Sequence, residues 1–362
     1  MSGFHTLTVD KVQRETPDAV CVSLVVPDAL RNTFAFQPGQ YITLRAVLEG
    51  EDVRRPYSIC STPADRLLSV GIKAVPGGRF STYANTVLQA GDALEVMQPF
   101  GHFGFNPDAS RARHYALFAA GSGITPVLSI AASVLAIEPD SRVSLFYGNR
   151  DTTSVMFRDA LNDLKNRHLE RFDVMHFLSR EPQDVALHAG RLDGDKLRDV
   201  IDSGYLDPAQ VHSAYLCGPG AFISGLETAL ADAGLTPDHI HHERFTTDSQ
   251  EADGDPADAP TPRGADVQQG CEVTVHLDGA SRVFSLEASD ASVLDAARRN
   301  GIELPWSCNG GMCCTCRCKQ LGGDASMRVN YSLEPWEVEA GFVLACQLEP
   351  TSNRLELDFD AT

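Results

Sequence analysis

The first hundred residues alternate between apolar and polar positions over short runs, as half-buried β-strands do. Three clear runs occupy residues 21–26, 41–48 and 68–75. Turn-forming residues lie between or after these runs, for example the pairs Pro38-Gly39 and Glu49-Gly50. The pattern therefore predicts an all-β first domain.

From about residue 114 the pattern changes to strands that alternate with helices. The strands are predicted at residues 115–120, 143–147, 172–178 and 214–217, and the helices at 127–136, 154–167 and 221–233. Such alternation predicts a parallel sheet with helices packed on both faces.

Residues 115–137 carry no charge, and this stretch is long enough to cross a membrane. The segment from Gly121 to Pro126 (GSGITP) interrupts it. We therefore predict a buried strand, a glycine turn and an apolar helix that begins near Pro126, and no membrane span.

The last third of the chain begins with a polar segment. Residues 246–262 contain five acids, no base and no large apolar side chain, which predicts a solvated and disordered linker. Beyond it, apolar runs flank Asp278-Gly279, a strong signal for a β-hairpin. Ser292, with Asp295 three residues later, predicts the N-terminus of a helix.

The charge of the chain argues against some classes of binding partner. Its 49 acidic and 30 basic residues give a formal net charge of −19. Nucleic acids and anionic membranes are bound mainly through clustered Lys and Arg, so this composition argues against both. The first twenty residues lack the basic flank and apolar run of a secretory signal, and we therefore expect a cytoplasmic protein.

Six of the ten cysteines are crowded near the C-terminal end of the chain. Among them, Cys308, Cys313, Cys316 and Cys346 have the C-x₄-C-x₂-C…C spacing of plant-type [2Fe–2S] ferredoxins. No other choice within the crowded run satisfies both short spacings. Residues 309–311 (NGG) give the backbone the freedom to fold closely over a cluster.

A zinc site, or simply reduced thiols, would be the alternative interpretation of these cysteines. Zinc motifs usually combine two closely spaced pairs of ligands, whereas here three cysteines share one loop and the fourth is remote. Cys314 and Cys318 are then extra thiols that bind no iron. The four remaining cysteines are scattered, and alone each is expected to be a small buried apolar side chain: Cys21, Cys60, Cys217 and Cys271.

Two motifs in the all-β part have the chemistry of a flavin site. In residues 55–58 (RPYS) a guanidinium can pair with a pyrophosphate, the ring of Tyr57 can stack on the isoalloxazine, and the Ser58 hydroxyl can bond flavin N5. About twenty residues later, residues 77–81 (GGRFS) begin a helix whose amides favour a diphosphate. An edge-strand arginine and a core tyrosine are the structural alternative.

Three further motifs lie in the α/β part. Residues 121–126 are not the G-x-G-x-x-G fingerprint, but they form a strand–turn–helix whose first amides and dipole favour a diphosphate. Residues 217–219 (CGP) end a later strand, and residues 243–245 (ERF) close this part of the chain. Taken singly, they are also explained by a helix cap, a buried thiol and a core phenylalanine.

In this order the motifs resemble those of the ferredoxin–NADP⁺ reductase superfamily, here joined to a C-terminal plant-type [2Fe–2S] ferredoxin. The matching patterns are R-x-Y-S, G-x-x-S, G-x-G-x-x-P, C-G-P and the closing aromatic residue. The resemblance implies a multidomain fold: an antiparallel β-barrel flavin domain over residues 1–108, an α/β parallel-sheet nucleotide domain over 109–245, an acidic linker over 246–266 and an α+β β-grasp ferredoxin domain over 267–362.

The resemblance also implies the cofactors and their ligands. The implied FAD-binding residues are Arg55, Tyr57, Ser58, Ile72, Lys73, Gly78, Phe80, Ser81 and Phe245. The implied NAD(P)-binding residues are Gly121, Gly123, Thr125, Pro126, Arg150, Ser154, Arg158, Cys217 and Gly218. Ser58 and Cys217 would lie where NAD(P)H passes a hydride to FAD, which then releases electrons singly to the cluster.

NADPH is favoured over NADH because Arg150 ends a predicted strand at the place where an adenosine 2′-phosphate could lie. Ser154 and Arg158 are close to it in sequence. An acidic residue at this strand end would instead favour NADH through the ribose hydroxyls. The alternative is that Arg150 only pairs with an acid on the following helix.

Within the superfamily, residues 77–81, 147–150, 242–245 and 330–335 are most similar to the reductase components of phenylacetyl-CoA (ring 1,2-) epoxidases. This resemblance implies a multi-subunit di-iron oxygenase as the partner, in phenylacetate catabolism. The reductases of 3-ketosteroid 9α-hydroxylases have the same three parts in the same order. Two alternatives come from other classes: a stand-alone flavin oxidoreductase, and a zinc-binding module without enzymatic activity.

Overall fold

The computed structural model describes residues 3–245 and 270–361, and the predicted linker over 246–266 lies outside these residues. The described residues form two compact units. The larger contains almost all of the residues up to 245, and the smaller consists mainly of residues 270–361.

The first part of the larger unit is a six-stranded antiparallel barrel. Its strands are β1 (Phe4–Thr16), β2 (Ala19–Val25), β3 (Tyr41–Leu48), β4 (Glu51–Ser58), β5 (Leu67–Lys73) and β6 (Ala93–Met97). They follow the order β4-β3-β6-β1-β2-β5, and a bridge between Ile59 and Val70 joins the two ends of this order. The barrel interior is filled by apolar side chains, and the helix α1 (Arg79–Thr86) contributes Phe80 and Ala84 to it.

The three predicted strands are β2, β3 and β5; β3 has the predicted bounds, and the ends of β2 and β5 differ from the prediction by one or two residues. The strand β4 was not among the predicted strands, and residues 55–58 lie inside it. Its sequence, EDVRRPYS, has four charged residues and a proline, which hide the two-residue alternation of a strand.

The second part of the larger unit is a five-stranded parallel sheet in the order β11-β10-β7-β8-β9. Its strands are β7 (His114–Ala120), β8 (Arg142–Asn149), β9 (Phe172–Leu178), β10 (Ser213–Gly218) and β11 (Ile240–Arg244). Its helices are α2 (Ile124–Ile137), α3 (Arg158–Arg167), α4 (Gly194–Asp202) and α5 (Gly220–Asp232).

Two separate apolar clusters cover the two faces of this sheet. Leu117 of β7 packs in the cluster that contains α2 and α3 side chains, whereas its neighbour Phe118 packs with side chains of α4 and α5. Successive residues of a strand point to opposite faces, so the predicted parallel sheet with helices on both sides is confirmed.

The uncharged stretch over residues 115–137 is the predicted strand, turn and helix. The strand β7 runs into a short 3₁₀ turn, Gly121–Gly123, and α2 begins at Ile124, two residues before Pro126. Within the described part of the chain, no helix combines the length and the apolar character needed to cross a membrane.

The helix α3 begins later than predicted, at Arg158 and not at residue 154. Phe157, the residue before it, has a φ of 57°, a left-handed conformation that no α-helix continues through. Residues 152–154 instead form a single 3₁₀ turn that Asp151 caps.

The smaller unit has a mixed five-stranded sheet in the order β13-β12-β18-β14-β16, and a second small sheet. Its elements are β12 (Glu272–Leu277), β13 (Ala280–Ser285), α6 (Val293–Arg299), β14 (Arg317–Gly322), β15 (Ala325–Met327), α7 (Pro335–Glu339), β16 (Phe342–Leu344), β17 (Leu348–Pro350) and β18 (Arg354–Asp358). The predicted hairpin is confirmed, since Asp278 and Gly279 both have the positive φ of a type I′ turn. Ser292 caps α6 as predicted, because its hydroxyl accepts a hydrogen bond from the amide of Asp295.

Candidate functional site

The carboxyl ends of the parallel strands meet at one edge of the sheet, where open α/β sheets bind their ligands. Cys217, near the end of β10, is paired in register with Ala119 of β7 and with Glu243 of β11. The turn after β7 and the closing strand β11 are therefore direct neighbours of Cys217.

The glycine turn after β7 fits tightly against β10. A Cβ atom on Gly123 would overlap the carbonyl group of Cys217, so only glycine allows this approach. The hydroxyl of Tyr147 donates a hydrogen bond to the carbonyl of Gly121 (2.9 Å), and Thr125 Oγ1 donates to Ser122 O (3.0 Å). In the described structure no side chain caps the start of α2, which leaves its first amides suited to a diphosphate.

Ser58 and Cys217, predicted separately, are brought together by Glu243. Ser58 Oγ donates a hydrogen bond to Glu243 Oε2 (2.8 Å), and Cys217 Sγ lies 4.0 Å from the same oxygen. Burial raises the pKa of the Cys217 thiol well above its usual range, so the thiol is neutral. The site thus joins the end of β4 to the carboxyl edge of the parallel sheet.

Glu243 is a functional candidate to which sequence reasoning assigned no role. It keeps some accessible surface, but the protein atoms around its carboxyl group desolvate it and raise its pKa to about 7. The Ser58 hydrogen bond acts in the opposite direction and is the smaller effect. Only the register between β10 and β11 reveals this residue, and the strand β11 was not predicted.

On the barrel, the residues of the two flavin motifs lie close together. The ring of Tyr57 is 5.6 Å from that of Phe80, the latter fully buried. Gly78 precedes α1, and a Cβ there would lie only 2.5 Å from Ser81 Oγ. Ser81 Oγ also accepts a hydrogen bond from the amide of Val75 (3.1 Å), which holds the turn in place.

These features fit a flavin diphosphate. In the described structure no side chain caps α1, so its first amides can bind an anion. Arg55 is half-buried on β4, two residues from Tyr57, which places both side chains on the same face of the strand. Ile72 is fully buried in the barrel core, and its carbonyl accepts a hydrogen bond from Asn85 (3.1 Å).

Asp18, in the turn between β1 and β2, lies between two of the predicted ligands. Its Oδ2 is 3.2 Å from Arg150 Nη2 and 3.6 Å from Lys73 Nζ. The alternative that Arg150 pairs with an acid on the following helix is therefore wrong, because its acidic partner belongs to the barrel. Desolvation by burial lowers the pKa of Lys73.

The remaining predicted nucleotide and flavin residues are near the same sheet edge. Ser154 is buried and exchanges hydrogen bonds with Asp151, whereas Arg158 is exposed at the start of α3. A Cβ on Gly218 would lie 2.8 Å from the ring of Phe222. Phe245 is half-buried and packs on the apolar cluster that includes Cys217.

In the smaller unit, the four predicted cluster ligands form two pairs. The amide of Cys308 donates to Cys313 Sγ (3.4 Å), and the amide of Cys346 donates to Cys316 Sγ (3.5 Å). Within each pair the partner thiol is the largest cause of a lowered pKa, at Cys313 and at Cys346. A [2Fe–2S] cluster has two irons and takes four cysteine thiolates, so two pairs fit its donor set.

The loop around these thiols has the geometry that its sequence predicted. Asn309 and Gly311 have positive φ values of 55° and 74°, and the amides of Gly310 and Met312 donate to Cys308 Sγ at 3.3 and 3.4 Å. Amides directed at sulfur stabilise a thiolate. The Cys313 side chain and burial raise the pKa of Cys308 well above its usual range, and these two amide hydrogen bonds act in the opposite direction.

Cys314 and Cys318 belong to neither pair. Cys314 Sγ donates to Ser332 Oγ (3.0 Å), and burial raises its pKa to about 12. Cys318 is fully buried on β14, with its sulfur 3.9 Å from the carbonyl oxygen of Val343. Both are neutral thiols, Cys314 within the ligand loop and Cys318 on the strand that follows it.

Comparison with known families gives three consecutive matches. An oxidoreductase FAD-binding domain matches residues 6–105, an oxidoreductase NAD-binding domain matches 117–228, and a 2Fe-2S iron-sulfur cluster binding domain matches 275–351. One of the subunits of 1,2-phenylacetyl-CoA epoxidase from Escherichia coli K12 is 45% identical over 362 residues, which are 100% of this chain and 99% of that protein. The chain belongs to this family of FAD- and [2Fe–2S]-containing reductases.

Other members of the family are reductase components of different oxygenases. The ferredoxin reductase component of 3-ketosteroid-9-alpha-monooxygenase from Rhodococcus rhodochrous is 34% identical over 98% of this reductase and 96% of that protein. Flavin, nicotinamide-nucleotide and [2Fe–2S] binding are thus confirmed for the reductase at the level of its domains. The zinc-binding alternative is replaced by a redox function.

Solved structures give the same architecture. Phthalate dioxygenase reductase matches 99% of this chain and 98% of its own, with a TM-score of 0.59 and 23% identity. A type IV self-sufficient cytochrome P450 monooxygenase matches 98% of this chain and 41% of its own, with a TM-score of 0.67 and 25% identity. The predicted multidomain fold of barrel, parallel sheet and ferredoxin is confirmed.

Proposed function

We propose that this reductase transfers electrons from NADPH, through FAD and a [2Fe–2S] cluster, to a multi-subunit di-iron oxygenase that epoxidises phenylacetyl-CoA. The observation that carries the proposal is the 45% identity, over the full length, to a component of an epoxidase with this substrate. When bound, FAD supplies hydride acceptance and the cluster supplies one-electron transfer. No acid–base pair for hydrolysis is needed, since the cofactors carry the chemistry.

A distinct set of described residues would hold each group. Arg55, Tyr57 and the first amides of α1 would hold the flavin and its diphosphate. The turn Gly121–Gly123 and the start of α2 would hold the diphosphate of the nucleotide. Cys308, Cys313, Cys316 and Cys346 would hold the two irons.

Ser58, Cys217 and Glu243 would line the place of hydride transfer. Cys217 is neutral and small, so it adds no charge there. The Ser58 hydroxyl donates to Glu243 Oε2, and a carboxyl group with a pKa of about 7 can hold or release a proton at that oxygen near neutral pH. The three side chains would therefore control both the space and the charge at the place of hydride transfer.

Glu243→Gln is expected to remove a pH dependence from NADPH-driven ferricyanide reduction. The ionised carboxylate opposes the negative charge that arrives with a hydride, so activity should fall as pH rises through the pKa of about 7. A group with this pKa loses about tenfold of its protonated form between pH 6 and 8, and kcat in the wild type should fall in proportion. In the neutral Gln variant kcat should change by less than about twofold over that range. An unchanged inflection in the variant would assign the titration to another group.

Arg150→Ala is expected to raise KM for NADPH about tenfold, because one charge-assisted contact to the phosphate is lost. KM for NADH, which lacks the 2′-phosphate, should change by less than about twofold. The measurement is steady-state ferricyanide reduction with each nucleotide. Arg142→Ala, at the opposite end of β8, is the matched control and should leave both values unchanged. A higher kcat/KM for NADH than for NADPH in the wild type would overturn the NADPH preference.

Reconstitution tests the proposed partner directly. The reductase is combined with the oxygenase subunits of a phenylacetyl-CoA epoxidase, NADPH and phenylacetyl-CoA, and epoxide is measured against NADPH consumed. We expect product formation that depends on the reductase. The oxygenase component of 3-ketosteroid 9α-hydroxylase, with its steroid, is the second arm. Turnover in that arm alone would replace the proposed partner by the steroid hydroxylase.

A further inference from the structure

We propose that Cys21, Cys60 and Met156 form a binding site for a soft monovalent metal ion of the Cu(I) type, between the barrel and the parallel-sheet domain. Sequence reasoning had treated the two cysteines as scattered. The structure places Cys21 Sγ 4.0 Å from Cys60 Sγ. Cys60 and Met156 are buried, and Cys21 is half-buried.

The two thiols approach each other across β5. Cys21 of β2 is paired with Gly71 on one side of β5, whereas the amide of Cys60 donates to Ser69 O on the other side. Strands on either side of a third strand are separated by about 10 Å. A disulfide needs Cα atoms closer than about 7 Å, so this arrangement disfavours one.

A metal ion bridges such a gap where a disulfide does not. With metal–sulfur bonds of about 2.3 Å, two sulfurs lie about 3.8 Å apart at a tetrahedral angle and about 4.6 Å apart in a linear arrangement. The observed 4.0 Å falls between these values. Both thiols lose their protons to bind the ion, so uptake of one ion releases two protons and no electron is transferred.

Gly71 leaves the space for a third soft donor. A Cβ at this position would lie 3.0 Å from Phe157 Cζ and 3.1 Å from Met156 Cε, so both side chains reach the place next to Cys21 where β5 has no side chain, and Met156 is the one that carries a sulfur donor. Met156 and Cys60 belong to the same apolar cluster, against which Cys21 packs. Thiolate and thioether sulfur together select Cu(I) over harder ions.

The oxygen atoms nearby already have protein partners. Glu15 Oε2 accepts a hydrogen bond from the amide of Phe157 (3.1 Å), and Ser23 Oγ is 2.8 Å from Ser69 Oγ. The site therefore offers sulfur in preference to oxygen. Thr125 Cγ2 would lie 2.6 Å from the same Cβ on Gly71, so the first turn of α2 packs beside this part of β5.

The test titrates Cu(I) into the anaerobic holoprotein, with FAD and cluster bound, at free concentrations buffered by a competing chelator. Copper per protein is counted, and visible absorbance reports whether the cluster is intact. We expect one equivalent in the wild type before any loss of cluster absorbance. Cys21→Ser and Cys60→Ala should weaken binding at least about tenfold, and Met156→Leu by a smaller factor.

Cys271→Ser is the matched control, because this buried thiol lies in the ferredoxin unit, and it should bind like the wild type. NADPH–ferricyanide activity checks that each variant is folded. If Cys60→Ala does not fold, the result for Cys21→Ser alone decides the test. The proposal is overturned if the wild type takes up no copper before its cluster is lost. It is equally overturned if Cys21→Ser binds copper as the wild type does.

Discussion

Cys346→Ser is expected to abolish the [2Fe–2S] cluster while flavin content and ferricyanide reduction stay at the wild-type level. Cys346 is paired with Cys316, and its sulfur also accepts a hydrogen bond from Gln347 Nε2 (3.4 Å). A serine here would leave three of the four thiolates that would hold the two irons. The ligand loop belongs to the smaller compact unit, whereas Tyr57, Ser58 and α1 belong to the larger one.

The measurement combines visible absorbance and iron content with two electron acceptors. Ferricyanide, which accepts electrons from the flavin, should be reduced at the normal rate. Electron delivery to the oxygenase should be lost, because the cluster would be the one-electron carrier between the flavin and the oxygenase. Cys314→Ala is the matched control, because Cys314 lies in the same loop but outside both pairs, and it should keep the cluster. Loss of flavin from Cys346→Ser would contradict the independence of the two units.

Gly123→Ala is expected to lower kcat/KM for NADPH about 100-fold, since a misplacement of about 1 Å near the reacting groups has an effect of this size. Gly123 has φ −60° and ψ −8°, which alanine adopts without strain. The obstacle is the new Cβ alone, which would overlap the Cys217 carbonyl. The turn and the end of β10 must separate, and this shifts both the nucleotide site and the Cys217 thiol.

Gly148→Ala tests whether the effect is specific. Gly148 lies near the carboxyl end of β8 on the same sheet edge, and a Cβ there would meet Leu192 Cβ at 3.4 Å, an ordinary contact. This variant should keep kcat/KM within about twofold of the wild type. Flavin content and thermal stability are measured for both variants. Normal turnover in folded Gly123→Ala would show that the contact with Cys217 does not position the nucleotide.

Sequence patterns predicted the parallel-sheet part well because its strands are continuous apolar runs. The strand over Phe172–Leu178 has the predicted bounds. The helix α4, in contrast, was missed, because its nine residues (GDKLRDVID) include five charges. The left-handed conformation of Phe157 makes α3 begin later in the chain than predicted. No local propensity indicates such a conformation for a phenylalanine.

Sequence motifs predicted only part of the chemistry of the site. Motifs identified Ser58 and Cys217, but the residue that connects them, Glu243, is 185 positions from Ser58. Motifs likewise did not reveal that Asp18 lies beside Arg150, or that Cys21 lies beside Cys60. These contacts are set by strand order and register across the barrel and sheet, which a single sequence does not reveal.

The first and last strands of the ferredoxin unit are neighbours, with Glu272 of β12 opposite Arg354 of β18 in parallel register. The chain between these two strands loses conformational entropy before the contacts of the sheet can form. Domains rich in such distant pairings therefore fold slowly. The sheet that carries β14, which begins directly after Cys316, is therefore incomplete until the end of the chain has been synthesised. We therefore expect stable cluster binding to require β18, so that deleting this strand would deprive the cluster of its scaffold while sparing all four ligands.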